Sequence, residues 1–144
     1  MPIAQINVAR MRAPLDTDTM KEFRDFIAPI NMLAESSSGF IWRFREEDYP
    51  DLPPHEDEML AINMSVWADL EELQEFTFKT VHSYFIRSRK KWFHQLGHPH
   101  VVLWWVEEGH IPSLADGFER LRIFEEQGPT DKAFLFAQAE TFRP

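Results

Sequence analysis

The sequence predicts an α+β fold, an antiparallel sheet crossed by helices in the order β-α-β-β-α-β, with an α-β extension. Three observations predict it. Short strand-like runs recur from residues 3, 40, 59 and 101, the last apolar at every position. Between them lie stretches with apolar residues three and four apart, opened by capping residues. No repeat, low-complexity tract or linker divides the chain, so residues 1–144 read as one domain.

Ile3 to Met11 alternates as a first strand. Thr19-Met20-Lys21-Glu22 offers a capping box, after which Met20, Phe23, Ile27, Ile30 and Ala34 fall on one helical stripe. Pro29 should kink that helix, and Ser36-Ser37-Ser38-Gly39 should end it. Phe40 to Arg45 reads as a second strand and Met59 to Trp67 as a third, separated by an acidic loop containing Pro50, Pro53 and Pro54. Asp69 opens a long helical stretch through Leu70, Leu73, Phe76, Val81, Phe85, Trp92 and Leu96, interrupted near Phe78 and stopped by Gly97 and Pro99. Val101 to Val106 is a fourth strand. Ser113 with Asp116 caps a last helix striped by Leu114, Phe118, Leu121 and Phe124, and Gly128-Pro129 ends it. Phe134 to Ala137 is a short fifth strand.

This order is the ferredoxin-like pattern, in which both crossover helices cover one face of the sheet. Leu60, Ile62, Met64 and Val66 point to one face, with Ile6 and Val8, and are expected to meet the helices. Gln5, Asn7 and Ala9, with Ala61, Asn63, Ser65 and Trp67, are expected on the face without helices. The fourth strand is apolar on both faces and so needs cover on both. The simplest cover for the second face is another copy of the sheet, which predicts a homodimer. The cavity so enclosed would be lined by Asn7, Asn63, Trp67, Trp42 and Trp105, large apolar walls with a few amides, as small-molecule pockets are. Asn7 and Asn63 would there either bond each other across the strands or meet a ligand.

Charge and composition exclude several functions. The 144 residues carry 15 basic and 24 acidic side chains, a net charge of −9, with 44% hydrophobic residues and no cysteine. Disulfides, thiolate metal sites and a cysteine nucleophile are absent, and a cytoplasmic setting is expected. No apolar run is long enough to span a membrane, and no secretory signal opens the chain. Residues 76–106 carry five bases and no acid, but a chain this acidic repels phosphate backbones, so nucleic acid is not an expected partner. The five glycines are isolated, which speaks against a phosphate-cradling loop, and there is no Gly-x-Ser-x-Gly nucleophile turn.

Several motifs are similar to those of a known family. They are Ala4-Gln5-Ile6-Asn7, Arg12-Ala13-Pro14-Leu15, Gly39-Phe40-x-Trp42-Arg43, Asn63-x-Ser65-Val66-Trp67, His82 ahead of Arg87-x-Arg89-x-x-Trp92-Phe93, Leu103-Trp104-Trp105-Val106-x-x-Gly109-His110-x-Pro112, and Gly128-Pro129-Thr130 before Ala133-Phe134. They span nearly the whole chain. The family they resemble is an uncharacterised bacterial and fungal one, classed as a domain of unknown function in the dimeric α/β-barrel superfamily. The resemblance implies that fold and a homodimer. Nearby chemistry in the superfamily is that of cofactor-independent antibiotic-biosynthesis monooxygenases and of haem-degrading monooxygenases. The second group implies an Asn that bonds substrate or oxygen (Asn7), a Trp wall (Trp67) and a His as axial ligand or base (His82). The long spacing from Trp67 to His82 and the extra C-terminal α-β unit speak against haem, and no cofactor is expected.

Five of the six histidines, His82, His94, His98, His100 and His110, crowd into one stretch. Gly97 and Pro99 break the helix that would align His94 with His98, and no carboxylate lies between residues 76 and 106, so no metal site is expected. His82, on a helix among bases, is the histidine suited to accept a proton, or else to bond a backbone carbonyl. The functional expectation is a small-molecule-binding protein acting as a cofactor-independent monooxygenase. Its substrate would be flat and aromatic or polyketide-like, held in a pocket between sheet and helices. Asn7, Asn63 and His82 are the candidate catalytic residues, and Trp42, Trp67 and Trp105 the candidate walls. The alternatives are a non-oxidative binding or isomerising protein using the same pocket, and a purely structural homodimer.

Overall fold

The computed structural model describes residues 1–49, 59–81, 89–94 and 101–144. Four strands, β1 (Ile3–Arg10), β2 (Phe40–Arg43), β3 (Leu60–Trp67) and β4 (Val101–Trp105), form one antiparallel sheet in the order β2-β3-β1-β4. The helices are α1 (Lys21–Glu35), α2 (Leu70–Glu75), a short α3 (Arg89–Trp92) and α4 (Leu114–Gln127), and a π-helical turn, Phe76–Val81, prolongs α2. The α+β class and the four expected strands are present.

Local chemistry explains most element ends. Asp69 caps α2 by accepting from the Glu72 amide at 2.8 Å. Ser113 and Asp116 form the expected reciprocal capping box of α4, with bonds of 3.0 and 3.1 Å. The box expected at Thr19 does not form. A 3₁₀ turn, Asp18–Met20, precedes α1 and leaves Met20 at the N-cap position with no side-chain cap. Pro29 lies inside α1, which nevertheless runs to Glu35. The fifth strand is a single bridge between Phe134 and Leu103, followed by a 3₁₀ turn at Phe136–Gln138, so the extension adds a helix and a strap rather than a strand. The acidic loop beyond Tyr49 and the middle of the long helical stretch fall outside the described residues.

Both faces of the sheet are covered by this one chain. On the first face Ala4, Ile6, Val8, Met64, Val66, Val102 and Trp104 pack with Leu114, Leu121, Ile123 and Phe124 of α4. Gly117 makes the approach close, since a Cβ there would lie 2.7 Å from Ile6 Cδ1 and 2.8 Å from Met64 Sδ. On the second face Ile3, Trp67 and Leu103 pack with Ala34 of α1, with Leu70 and Leu73 of α2, and with Phe134 and Ala139 of the C-terminal strap. At the opposite end of that face Ala9, Met11, Met59 and Ala61 pack with Phe23, Phe26 and Ile27 of α1 and with Trp92 and Phe93. Backbone bonds from Arg12 to the Trp92 carbonyl (2.7 Å) and from His94 to the Arg10 carbonyl (2.9 Å) fasten that end.

This corrects the expected faces. Alternation correctly sorts the residues into two sets, but the set holding Asn7 and Asn63 is the one that α1 and α2 cover. The set holding Ile6 and Met64 meets α4 and Ala133 among the described residues. The expected bare face awaiting a second sheet is therefore not bare.

Candidate functional site

The second face is apolar at both ends and polar between them. Strand register puts Gln5 opposite Ser65 and Asn7 opposite Asn63. Gln5 and Ser65 are buried, at 7% and 6% exposure, Asn7 is half-buried and Asn63 is exposed. The helix above follows the same profile. Met20 ahead of α1, and Phe23 and Ala34 within it, are buried, whereas Ile27 and Ile30 between them are only half-buried. Along α1, Ala34 packs at the Trp67 end of the face, and Phe23 and Ile27 pack at the end holding Ala9 and Met11.

One hydrogen-bonded chain organises this floor. The indole N–H of Trp67 donates to Ser65 Oγ at 2.9 Å. Gln5 Nε2 donates both to Ser65 Oγ at 2.8 Å and to Asn63 Oδ1 at 2.6 Å. Asn7 and Asn63, though opposite in register, do not bond each other, and the Asn7 side chain has no hydrogen-bond partner among the described residues. An unpaired amide beside an exposed one is costly to bury further and ready to meet a ligand or water.

The tryptophans divide. Trp67, at 1% exposure, stacks on Phe76 (5.0 Å between ring centroids) and meets Phe40 edge-on (5.5 Å), so it is a fixed end wall of the floor. Trp105 lies on the same face at the β4 edge, 6.2 Å from the Phe134 ring, with the Arg143 guanidinium 5.2 Å over it. Its buried Nε1 is the one buried side-chain polar atom among the described residues without a partner. Trp42 is not a wall of this site. A bulge between Phe40 and Trp42 sends Phe40 to the second face beside Trp67 and Trp42 to the first, against Val66. His82, with His98 and His100, lies outside the described residues. Of the other clustered histidines, His94 and His110 are exposed.

Gln5 and Ser65 are the buried polar residues that sequence reasoning placed on the right face yet left unnominated. Their register, one polar residue directly opposite another, is the signal that marks them. An ionisable side chain adjoins the floor, Arg43, which lies opposite Ser65 in register and is paired with Glu35 of α1 at 2.7 Å. The rest of the floor offers neutral donors and acceptors, with one hydroxyl already accepting two bonds, so it can bind and orient. Among the described residues no group of three His, Asp or Glu side chains could hold a metal. Haem would need an axial ligand, and the one expected from the sequence, His82, lies outside the described residues. Two open cavities lie elsewhere. One, of about 590 Å³, is at the β4–α4 junction around Glu107, His110, Asp116 and Arg120. The other, of about 320 Å³, is on the first face between Val8, Leu60, Phe118 and Phe124.

No curated protein matches the chain. Among solved structures it is similar to SnoaB, a cofactor-independent oxygenase from Streptomyces nogalater, at 13% identity and a TM-score of 0.52, over 78% of this chain and 98% of that one. It is similar also to a protein of unknown function from Nitrosomonas europaea, at 13% identity and a TM-score of 0.54, over 78% and 95% of the two chains. At such identity the likeness is one of fold, and it agrees with a ferredoxin-like arrangement. The match that names a family runs over residues 2–143, and by it the chain belongs to the family described as Domain of unknown function (DUF3291).

Proposed function

We propose that the amide floor under α1 binds a flat aromatic or polyketide-like molecule and that the protein oxidises it without a cofactor, as a monooxygenase. The observation that carries this reading is the pair of amides that register places face to face and that do not bond each other, on the face that α1 and α2 cover. A pair serving only the sheet would close on itself. The fold shared with SnoaB, itself described as a cofactor-independent oxygenase, supplies a precedent for the chemistry. The substrate would furnish the electrons. A ring CH₂ made acidic by neighbouring carbonyl groups reacts with dioxygen as R₂CH₂ + O₂ → R₂C=O + H₂O, one oxygen atom entering the product and the other leaving as water. Asn7 and Asn63 would orient the reacting oxygen, Trp67 and Trp105 would bound the ring, and His82 is the proposed base.

The test is oxygen consumption with an anthrone, whose central CH₂ has this character, by wild type and by Asn63→Ala. Catalysed uptake by wild type, lost in a variant with an unchanged circular dichroism spectrum, supports the reading. Stoichiometric binding of the anthrone with no uptake above the buffer rate would favour the non-oxidative alternative instead.

We propose also that the partner is a second copy of the chain, meeting the first face rather than the second. Trp42, Phe44, Leu60 and Ile62 are only partly buried beside α4, and the 320 Å³ groove adjoins them. Sedimentation of wild type against Phe118→Glu checks this, with a dimer giving way to monomer expected.

A further inference from the structure

The bonds on the floor run in one direction, and the direction has a chemical consequence. An indole N–H can only donate, so the Trp67 bond commits one lone pair of Ser65 Oγ. The two hydrogens of Gln5 Nε2 are then both spent, on Ser65 Oγ and on Asn63 Oδ1. Trp67, Ser65 and Gln5 are all buried, which fixes their places, and Asn63 at the end of the chain is exposed. An amide is planar, with oxygen and nitrogen on opposite branches. With Oδ1 held by Gln5 at 2.6 Å, the Asn63 NH₂ is turned away from Gln5, and Asn63 is exposed. Rotating the amide by half a turn would set two NH₂ groups against each other at that distance, donor to donor.

We propose that Gln5 and Ser65 are positioning residues that lock Asn63 as a hydrogen-bond donor, so that the site selects ligands presenting an acceptor oxygen, a ketone carbonyl or a phenolate. A ligand offering only an amine N–H at that point is disfavoured. This inference rests on the reading of the floor as a small-molecule site and deepens it by naming the ligand group. Asn7, bonded to nothing described, can turn either way, so the selection falls to Asn63. The ligand's acceptor would take the Asn63 hydrogens, whereas a donor would leave two NH groups facing each other, a mismatch that should cost about tenfold or more in affinity.

Two measurements test it. The first is a titration by tryptophan fluorescence with two naphthalenes that share the ring and differ in its one substituent, 1-acetonaphthone (acceptor) and 1-aminonaphthalene (donor). Wild type should bind the ketone about tenfold tighter. Gln5→Glu should reverse the order, because a carboxylate only accepts and would draw the Asn63 NH₂ inward, turning Oδ1 out. A Gln5 that merely filled space would weaken both probes alike. The second measurement, on wild type alone, stands even if the variant fails to fold. Side-chain amide exchange by ¹⁵N NMR should find the Gln5 NH₂ protected and the Asn63 NH₂ open. Equal affinity for the two probes, or protection of the Asn63 NH₂ in place of that of Gln5, overturns the inference and leaves the small-molecule reading standing. If neither probe binds, the small-molecule reading fails on this face and the ligand selection falls with it.

Discussion

Replacing Gly117 with alanine adds one methyl group where α4 lies on the sheet, and the sign of the result tests whether α4 covers that face. On a free helix, glycine to alanine stabilises by about 1 kcal/mol, because glycine loses more backbone freedom on folding. Here the added Cβ would lie 2.7 Å from Ile6 Cδ1 and 2.8 Å from Met64 Sδ. Both neighbours are side-chain tips, but at 0% and 1% exposure they have little room to give. Overpacking of this kind costs about 1–3 kcal/mol, so the net change is a destabilisation of about 1 kcal/mol. With a urea m-value of about 2 kcal/mol/M, the unfolding midpoint falls by about 0.5 M, the slope staying constant. Gly117→Leu should lower it well beyond that. Urea unfolding followed by tryptophan fluorescence and by circular dichroism reads both variants. A Gly117→Ala protein more stable by about 1 kcal/mol, with leucine tolerated, would show α4 free of the sheet and the first face bare.

Three further outcomes follow from the same contacts. Gly128 ends α4 at φ 71° and ψ −163°, a region open to glycine alone, with no atom within 4 Å of a would-be Cβ. Gly128→Ala should therefore destabilise by about 1–3 kcal/mol through the backbone alone, and an unchanged melting temperature would refute it. Trp67→Phe keeps a ring against Phe76 and Phe40 but removes the donor to Ser65. It should cost about 1–3 kcal/mol in urea unfolding, and retention of the wild-type midpoint would deny that bond any role. The C-terminal strap should loosen in acid. Hydrogen bonding to Arg143 holds the Glu140 carboxyl below its usual range. A carboxyl depressed in the folded state contributes stability that is present above its unfolded value and lost as pH falls through the folded one. The Phe142 amide, bonded to the Gln138 carbonyl, should accordingly lose exchange protection as pH falls below the ordinary carboxylate range, while β1 amides keep theirs. Protection persisting undiminished to pH 2 would contradict this.

How much of this was legible in the sequence depended on whether the signal was local. Period-two alternation sorted Ala61, Asn63, Ser65 and Trp67 from Leu60, Ile62, Met64 and Val66, because neighbouring side chains in a strand must point oppositely. It carried no information on which helix lies over which set, since that depends on contacts between residues far apart, such as Ala34 with Trp67 and Gly117 with Ile6. Trp42 failed for a related reason. Phe40-Ile41-Trp42 is apolar at every position, so the bulge that turns Trp42 to the other face leaves no trace in hydropathy. The Ser113 capping box was legible because its partners are three residues apart. The box expected at Thr19 had the same spacing, but the chain forms a 3₁₀ turn there and α1 starts later.

Composition made the amides on the floor conspicuous, but register decides what they mean. Had Asn7 and Asn63 bonded each other, the row from Trp67 to Asn7 would be a closed network whose work is to hold β1 on β3. The structure instead ties Asn63 diagonally to Gln5, two residues along β1 from its direct partner, and that choice releases Asn7. The buried half of the network, Trp67, Ser65 and Gln5, is satisfied internally, so it can hold the exposed half in a fixed pose without drawing on a ligand to complete it. Preorganisation of this kind is what a binding site requires, since groups already oriented lose little freedom when the ligand arrives. Simple sheet cohesion would be served as well by valines at the same positions. The case for function therefore lies less in the presence of asparagines than in a buried relay ending at an exposed amide.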